Sequence, residues 1–183
     1  MLSNPLVLPS VPSPADHGLL AWSFDNSQAV STLIVGTAGR LHTVRLPINR
    51  PVLVTAIQMS LSTIGATLTA GQNFAMLFDE SGNRVGVTAD MSTPWSASPG
   101  NLDMALTAPV QINGPFCHVG FYANGSTLPT FRVSTNATSF VGSANLGSGT
   151  YRYGMSTSSL TSTPPATVGT ISSPSYPWWV GLR

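Results

Sequence analysis

Charge is scarce in this chain, and one of the two strongly basic residue types is missing. Only 7% of the 183 residues are charged, all seven basic residues are arginine, and lysine does not occur. An average soluble domain is about 25% charged. With a net charge of +1, the chain lacks the basic stripe that nucleic-acid binding requires. A surface with so little charge repulsion is typical of a subunit that is covered by neighbours in an assembly.

Three further absences narrow the class of protein. The single cysteine, Cys117, excludes an intrachain disulfide framework. No run of 18 apolar residues occurs, so we expect no membrane partner. The N-terminus lacks a basic region followed by an apolar core, so the sequence predicts no secretory signal. A virus particle released by lysis is one other route by which such a protein reaches the outside of a cell.

Residues 73–88 carry the clearest local pattern, that of a β-hairpin. Phe74, Met76 and Phe78 alternate with smaller or equally apolar neighbours, which is the period of a strand. Residues 79–83 supply turn chemistry, with Gly82 free to adopt a positive φ. A two-stranded hairpin alone is marginally stable in water, so the pattern predicts further sheet around it.

Other stretches repeat this alternation between turn signals and predict a sheet-rich fold. In residues 52–64 the alternation puts Leu53, Thr55, Ile57, Met59 and Leu61 on one face of a strand. Further strands are predicted at 19–24, 37–48, 103–112, 116–122, 130–134 and 150–154, and at a C-terminal strand carrying Trp178, Val180 and Leu182. Turns every 8–12 residues, with 17 Gly and 15 Pro, favour an all-β, antiparallel, jelly-roll-like β-sandwich without helices.

The N-terminal stretch, residues 1–16, has a different composition. Proline recurs at short intervals there, which favours extended backbone over helix or central strand. We therefore divide the chain into an extended arm, residues 1–16, and a single sandwich domain, residues 17–183. The arm is either a disordered terminus or an anchor that lies across another subunit. Its apolar residues are the candidates for anchoring: Leu6, Val7, Leu8 and Val11.

Signatures of catalysis or metal binding are missing from the sequence. The three histidines lie far apart, which gives a metal site no local support. Neither a Gly-x-Ser-x-Gly elbow nor a lysine-containing phosphate loop occurs. Asp79 and Glu80 are neighbours on a predicted turn, where they serve turn formation and solubility, and Cys117 has apolar flanks typical of a core residue. We expect no enzyme, no metal and no cofactor.

Aromatic and amide residues outside the predicted core are the candidates for ligand binding. Rings of this kind stack on sugar faces, and amides and hydroxyls bond sugar hydroxyl groups. The candidates are Trp95, Tyr122, Asn124, Tyr151 and Tyr153. Alternative interpretations stay open for three of them, because Trp95 fits equally the end of the sandwich and the two later tyrosines fit contacts between subunits.

Four segments resemble modules of minor tail proteins from phages that infect actinobacteria. They are residues 14–25 (PADHGLLAWSFD), 65–75 (GATLTAGQNFA), 79–90 (DESGNRVGVTAD) and 119–129 (VGFYANGSTLP). The resemblance spans residue 14 to the C-terminus and carries no catalytic motif. It implies a β-sandwich displayed on the virion as a distal tail or fibre module, with a trimer as the implied assembly.

Together these observations favour a non-enzymatic virion protein whose partners are copies of itself, other virion proteins and host cell-wall glycan. A tail or fibre module is the leading hypothesis. A capsid decoration protein, with the arm gripping the shell, is the alternative, and a carbohydrate-active enzyme is a weaker one.

Overall fold

The computed structural model describes residues 12–34, 38–134, 146, 150–156 and 159–183. Within these ranges the chain forms fourteen strands and three short 3-10 helices, Pro14–His17, Asn26–Gln28 and Pro94–Ser96. The strands are β1 (Ala21–Trp22), β2 (Ser31–Ile34), β3 (His42–Pro47), β4 (Val52–Thr63), β5 (Ala66–Leu68), β6 (Phe74–Phe78), β7 (Arg84–Val87), β8 (Gly100–Ile112), β9 (Phe116–Tyr122), β10 (Gly125–Thr127), β11 (Thr130–Val133), β12 (Tyr153–Ser156), β13 (Ile171–Pro174) and β14 (Val180–Leu182). No helix in these ranges is long and apolar enough to cross a membrane.

Two antiparallel sheets pack face to face and confirm the predicted all-β sandwich. Sheet A has the order β1-β14-β4-β11-β2, with β8 paired to β4, and sheet B has the order β13-β12-β3-β9-β6-β7. A separate ribbon pairs β5 with β10. Residues of both sheets, such as Met59 of β4 and Val119 of β9, meet in one buried cluster. The finer jelly-roll-like topology stays a prediction.

The hairpin predicted at residues 73–88 is confirmed as β6 and β7. Met76 pairs with Val87 and Phe78 with Arg84, and Gly82 has a φ of 81° in the turn. The Asn83 N–H donates to Asp79 Oδ1 at 2.8 Å, which closes that turn. Unlike a half-exposed strand, β6 is buried on both faces after its first residue, so a second layer of chain must cover sheet B.

The phase predicted for β4 is right in its second half and wrong in its first. Leu53 is 55% exposed, whereas Val52 and Val54 are buried. The pairing of β4 with β8 shifts register between Val54 and Ala56. A bulge of one residue moves every later side chain to the opposite face. The N–H groups of Thr55 and Ala56 both donate to the Arg183 carbonyl, at 2.6 and 3.0 Å. Ala56 and Ile57 are consecutive and both buried, so Ile57 and the inward residues after it do face the core.

The C-terminal strand is also confirmed. Trp178, Val180 and Leu182 are fully buried, and β14 pairs with both β4 and β1. The predicted strand at residues 19–24 shrinks to β1, and the one at 150–154 begins later, at β12. Four strands were not predicted: β2, β5, β10 and β13.

The end of the predicted arm is not extended. Pro14–His17 form a 3-10 turn, because the Ser13 N–H and hydroxyl both donate to Asp16 Oδ2, at 2.8 and 2.9 Å. A side chain that satisfies a free backbone N–H in this way stabilises a helix start. Residues 1–11, with the anchoring candidates Leu6, Val7, Leu8 and Val11, lie outside the described residues.

Candidate functional site

Trp95 does not occupy the exposed loop position that the sequence predicted. Its side chain is 0% exposed, and its indole Nε1 donates to Met104 Sδ at 3.3 Å. The ring packs edge-on against Phe131, with 5.5 Å between centroids. The 3-10 turn around Trp95 directs the ring inward, and the backbone N–H of Trp95 donates to the Met91 carbonyl at 2.9 Å. The position is that of a core residue, as in the alternative interpretation.

Two of the predicted tyrosines are also buried. Tyr122 lies on the outer side of sheet B in a cluster with Leu41, Met76 and Phe78, and burial raises the pKa of its hydroxyl to about 12. Tyr153 belongs to the core between the sheets, and burial raises its pKa as well. Neither ring has an open face for stacking on a sugar.

Asn124 and Tyr151 complete the predicted set without forming a site with the others. The Asn124 amide Nδ2 donates to the carbonyls of Gln72 and Leu160, at 3.2 and 2.7 Å, so it joins loops. Tyr151 is half-buried. The five residues are thus distributed between the core, the outer side of sheet B and a loop junction, and the structure does not bring them together.

Residues 159–168, which we call the strap, cover the outer face of sheet B. The Arg84 guanidinium donates to the carbonyls of Pro164 and Pro165, and the Arg84 N–H donates to the Ala166 carbonyl at 2.8 Å. Beneath the strap, Leu160 and Val168 pack against the apolar cluster that contains Tyr122. Apolar contacts therefore close this face.

Residues 12–30, which we call the N-terminal segment, cover part of the outer face of sheet A. The N–H groups of Leu20 and Ser23 donate to carbonyls of β14, each at 2.8 Å. Leu19 lies over Gly181, where a Cβ would come within 3.0 Å of the Leu19 side chain. A glycine in a strand is favoured where another part of the chain approaches this closely.

A polar pocket of about 330 Å³ lies between the N-terminal segment and sheet A. This volume falls in the range of about 300–1,000 Å³ that is usual for small-ligand sites. We call it the N-terminal pocket, and its lining residues are His17, Leu19, Asn26, Ala29, Gln58, Ser60, Asn101, Arg132 and Trp179. Most of these side chains carry hydrogen-bonding groups, and none is a carboxylate.

Strand register brings the floor of the N-terminal pocket together. Gln58 and Ser60 point outward because they alternate with buried residues of β4. Ser60 lies directly opposite Asn101 of β8, so the two share a face. On the other edge of β4, the Trp179 N–H donates to the Arg132 carbonyl at 3.1 Å. Four separate stretches of sequence thus meet around one serine.

One residue that lines the N-terminal pocket, Trp179, carries a buried donor. Trp179 is 4% exposed, and its indole Nε1 has no hydrogen-bond partner among the described residues. Leaving a buried donor unsatisfied costs about 1–3 kcal/mol. Such a cost is tolerated more easily where a ligand supplies the missing acceptor, so this pocket is a candidate binding site.

A second pocket, of about 430 Å³, lies at the other sheet. The Arg45 guanidinium stacks on the Phe116 ring, 3.7 Å from its centroid, and Arg152 and Leu146 line the same space. Within the described chain, none of its lining residues has a buried side-chain donor or acceptor left without a partner. The N-terminal pocket is therefore the better candidate.

Burial shifts the pKa values of the one thiol and of two histidines. The described ranges contain no group of three or more His, Cys, Asp or Glu residues placed to hold a metal ion. Burial raises the pKa of the Cys117 thiol to about 12, far from the thiolate form that acts as a nucleophile. Burial and a nearby arginine lower the pKa of His42 and His118 to about 4.

Compared with known proteins, the chain matches no family model. It also matches no curated protein sequence. The structure and the residues themselves are therefore the basis for assigning a function.

The sequence did not predict the residues of the N-terminal pocket, because strand register decides which of these side chains lie next to each other. Gln58 and Ser60 were visible as the polar side of a strand, which is also the pattern of ordinary solvated surface. Trp179 follows Trp178 directly, and the alternation assigns one of such a pair to the core and the other to the opposite face. That doubled tryptophan is the signal that could have led to the pocket.

Proposed function

We propose that this chain is a non-enzymatic structural subunit of a phage virion, a tail or fibre module that attaches to the host cell surface by binding glycan in the N-terminal pocket. The observation that carries the binding part is the buried indole of Trp179, which has no hydrogen-bond partner among the described residues and lies beside Gln58, Ser60 and Asn101. Amide and hydroxyl groups can both donate and accept hydrogen bonds, as sugar hydroxyls do. A polar concave surface of this kind suits a saccharide better than an apolar ligand.

The composition of the N-terminal pocket favours binding over hydrolysis. A glycosidase ordinarily places two carboxyl groups about 5–9 Å apart across its substrate. The residues that line this pocket include no Asp and no Glu. The carbohydrate-active enzyme considered as a weaker hypothesis therefore gains no support here.

The virion part of the proposal rests on composition and resemblance. The surface is sparsely charged, with 7% charged residues in the chain, and apolar side chains such as Val30 and Leu53 are more than half exposed. Such side chains suit contacts with other subunits. The sequence segments that resemble phage minor tail proteins add the virion location and the trimeric assembly. Copies of this chain and other virion proteins are the partners that we propose.

Cryo-electron microscopy of the intact particle tests the location. Density for this chain at the tail tip supports the tail or fibre role. Density on the capsid lattice replaces that role with the capsid decoration role, and a particle without the chain overturns the virion proposal.

Deletion of residues 1–11 tests the anchor hypothesis and leaves the Ser13–Asp16 hydrogen bonds in place. We expect the shortened chain to fold and to be lost from purified particles. A matched control keeps the length and replaces only the apolar residues with serine, at Leu6, Val7, Leu8 and Val11. Normal incorporation of both variants would contradict the anchor.

Binding of the purified full chain to isolated host cell walls tests attachment. We expect the wild type to sediment with walls and Gln58→Ala/Asn101→Ala to do so several-fold less. Equal sedimentation of the two proteins would remove the N-terminal pocket from the attachment site.

A further inference from the structure

Arg132 is the one strongly basic residue that lines the N-terminal pocket, and its charge is not neutralised locally. Its side chain is partly buried and makes no ion pair or side-chain hydrogen bond with any described residue. A guanidinium is charged at all ordinary pH values and offers a planar fork of N–H donors. A partly buried fork without an acceptor is suited to receive one from a ligand.

Carboxylates of the neighbouring elements are already engaged elsewhere. On β8, Asp103 accepts hydrogen bonds from Gln58 and from Arg183, with which it forms an ion pair. In the N-terminal segment, Asp16 accepts from Ser13, and Asp25 Oδ1 accepts from the Ser27 N–H at 2.8 Å. None of these carboxylates lines the N-terminal pocket. The lining of the pocket therefore carries one guanidinium and no carboxylate.

The donors in the pocket fall into two kinds. Arg132 supplies a charged, bidentate donor, which matches a carboxylate in geometry. Trp179 supplies a single neutral N–H, and Ser60 and Asn101 supply groups that both donate and accept. A ligand that uses all of them needs one carboxylate and several hydroxyl groups.

We propose that the N-terminal pocket binds an acidic sugar residue of the uronic acid class, with the carboxylate held by Arg132 and a ring hydroxyl accepting the hydrogen bond from Trp179 Nε1. This inference rests on the proposed function in treating the pocket as a glycan site, and it names the class of sugar. A carboxylate side chain from a second copy of the chain is the competing occupant.

Calorimetric titration of the full chain with two sugars tests this inference. Methyl β-D-glucuronide and methyl β-D-glucoside differ only in a carboxylate against a hydroxymethyl group. We expect the glucuronide to bind at least about tenfold more tightly, because hydrogen bonds to charged groups contribute about 1.5–3 kcal/mol. Its affinity should fall as salt increases, whereas the affinity for the glucoside should not.

Arg132→Met should remove the preference and leave similar weak binding of both sugars. Arg50→Met is the matched control, since Arg50 is exposed and lies outside this pocket, and it should retain the preference. Trp179→Phe provides a second variant, which should weaken glucuronide binding several-fold while the protein stays folded. Wild-type preference in the Arg132 variant would overturn the assignment of the carboxylate.

The outcomes separate this inference from the proposed function. Equal affinity for the two sugars, together with binding to host walls, would contradict the preference for an acidic sugar and would still support the attachment role. Binding to neither sugar nor walls overturns both. The wild type could instead self-associate without binding either sugar, and lose this self-association in Arg132→Met. That result would show that the pocket binds a carboxylate of a second copy of the chain.

Discussion

The two outer faces of the sandwich are covered by the chain itself, but the covers differ in chemistry. Over sheet B, the strap seals an apolar cluster built around Phe78 and Tyr122. Over sheet A, the N-terminal segment contributes Leu19 as its buried apolar contact and leaves a polar pocket open beside it. Apolar burial is sufficient reason for the first cover. The second cover leaves a concave space lined mainly by hydrogen-bonding side chains, and apolar burial does not explain that space.

Each cover approaches a glycine closely. A Cβ at Gly39 would come within 2.5 Å of the Leu160 carbonyl oxygen of the strap, and one at Gly181 within 3.0 Å of Leu19. Both covers thus pack closely on the sandwich, and they differ in the polar pocket beside sheet A. We therefore expect substitutions under the strap to change stability alone, and those at the N-terminal pocket to change binding.

The largest effect should come from emptying the cluster under the strap. Phe78→Ala removes a fully buried ring, and such substitutions cost about 3–5 kcal/mol. Urea denaturation followed by tryptophan fluorescence measures this loss. Binding of methyl β-D-glucuronide under native conditions should be unchanged. A cost below about 1 kcal/mol would mean that the strap does not seal this face.

Low pH should destabilise the fold through sheet B, because the two histidines with lowered pKa values lie there. Because the folded-state pKa of His42 and His118 is about 4, the unfolded chain gains protons first as the pH falls below about 6.5. Stability is complete above that pH and is lost between about 6.5 and 4.

The free energy of unfolding should fall by a few kcal/mol on acidification, because each unit of pKa difference corresponds to about 1.4 kcal/mol. Denaturation at pH 7.5 and 4.5 measures it, and His42→Gln should reduce the difference between the two pH values. An unchanged difference in that variant would exclude His42 as its source.

Crowding the contact below the N-terminal segment should have an intermediate effect. Gly181→Val places a branched side chain against Leu19, and overpacking of this kind costs about 1–3 kcal/mol. Sugar binding should weaken too, because Leu19 lines the pocket. Adding Leu19→Ala relieves the clash. The double variant should therefore lose less unfolding free energy than the two single variants lose together. Simple additivity would contradict the contact.

The smallest effect on stability is expected when a buried donor without a partner is removed, and two such donors can be compared. The hydroxyl of Tyr122 and the indole N–H of Trp179 both lack partners among the described residues. Tyr122→Phe should leave stability unchanged or raise it by about 1 kcal/mol, because it removes an unsatisfied group, and sugar binding should stay intact. Trp179→Phe should weaken binding. Equal binding by the two variants would remove the functional contrast between the faces.

Much of the fold was accessible from the sequence because local signals are strong where one face of a strand is buried. The turn at Gly82 and the alternation of Cys117, Val119 and Phe121 on β9 predicted real elements, and those three side chains are fully buried. The half-wrong phase of β4 shows the limit of this approach. The bulge at Thr55 and Ala56 depends on hydrogen bonds to the distant Arg183, which no local pattern contains.

The candidate site was less accessible for the same physical reason. Trp95 and Tyr122 looked exposed because short segments around them are rich in turn residues, yet tertiary contacts bury both. The residues of the N-terminal pocket come from five separate stretches, and strand pairing makes neighbours of Ser60, Asn101 and Arg132. Aromatic and amide residues predicted a sugar as the ligand, and the sugar stays a proposal.

The most direct test of the N-terminal pocket as the binding site is nuclear magnetic resonance of the indole N–H groups. The chain has four tryptophans, so each indole signal can be assigned by substitution and followed as methyl β-D-glucuronide is added. We expect the Trp179 signal to shift with saturation and the Trp95 signal, which belongs to a buried donor already bonded to Met104, to stay in place. A saturating shift of Trp95 with an unmoved Trp179 would contradict the account.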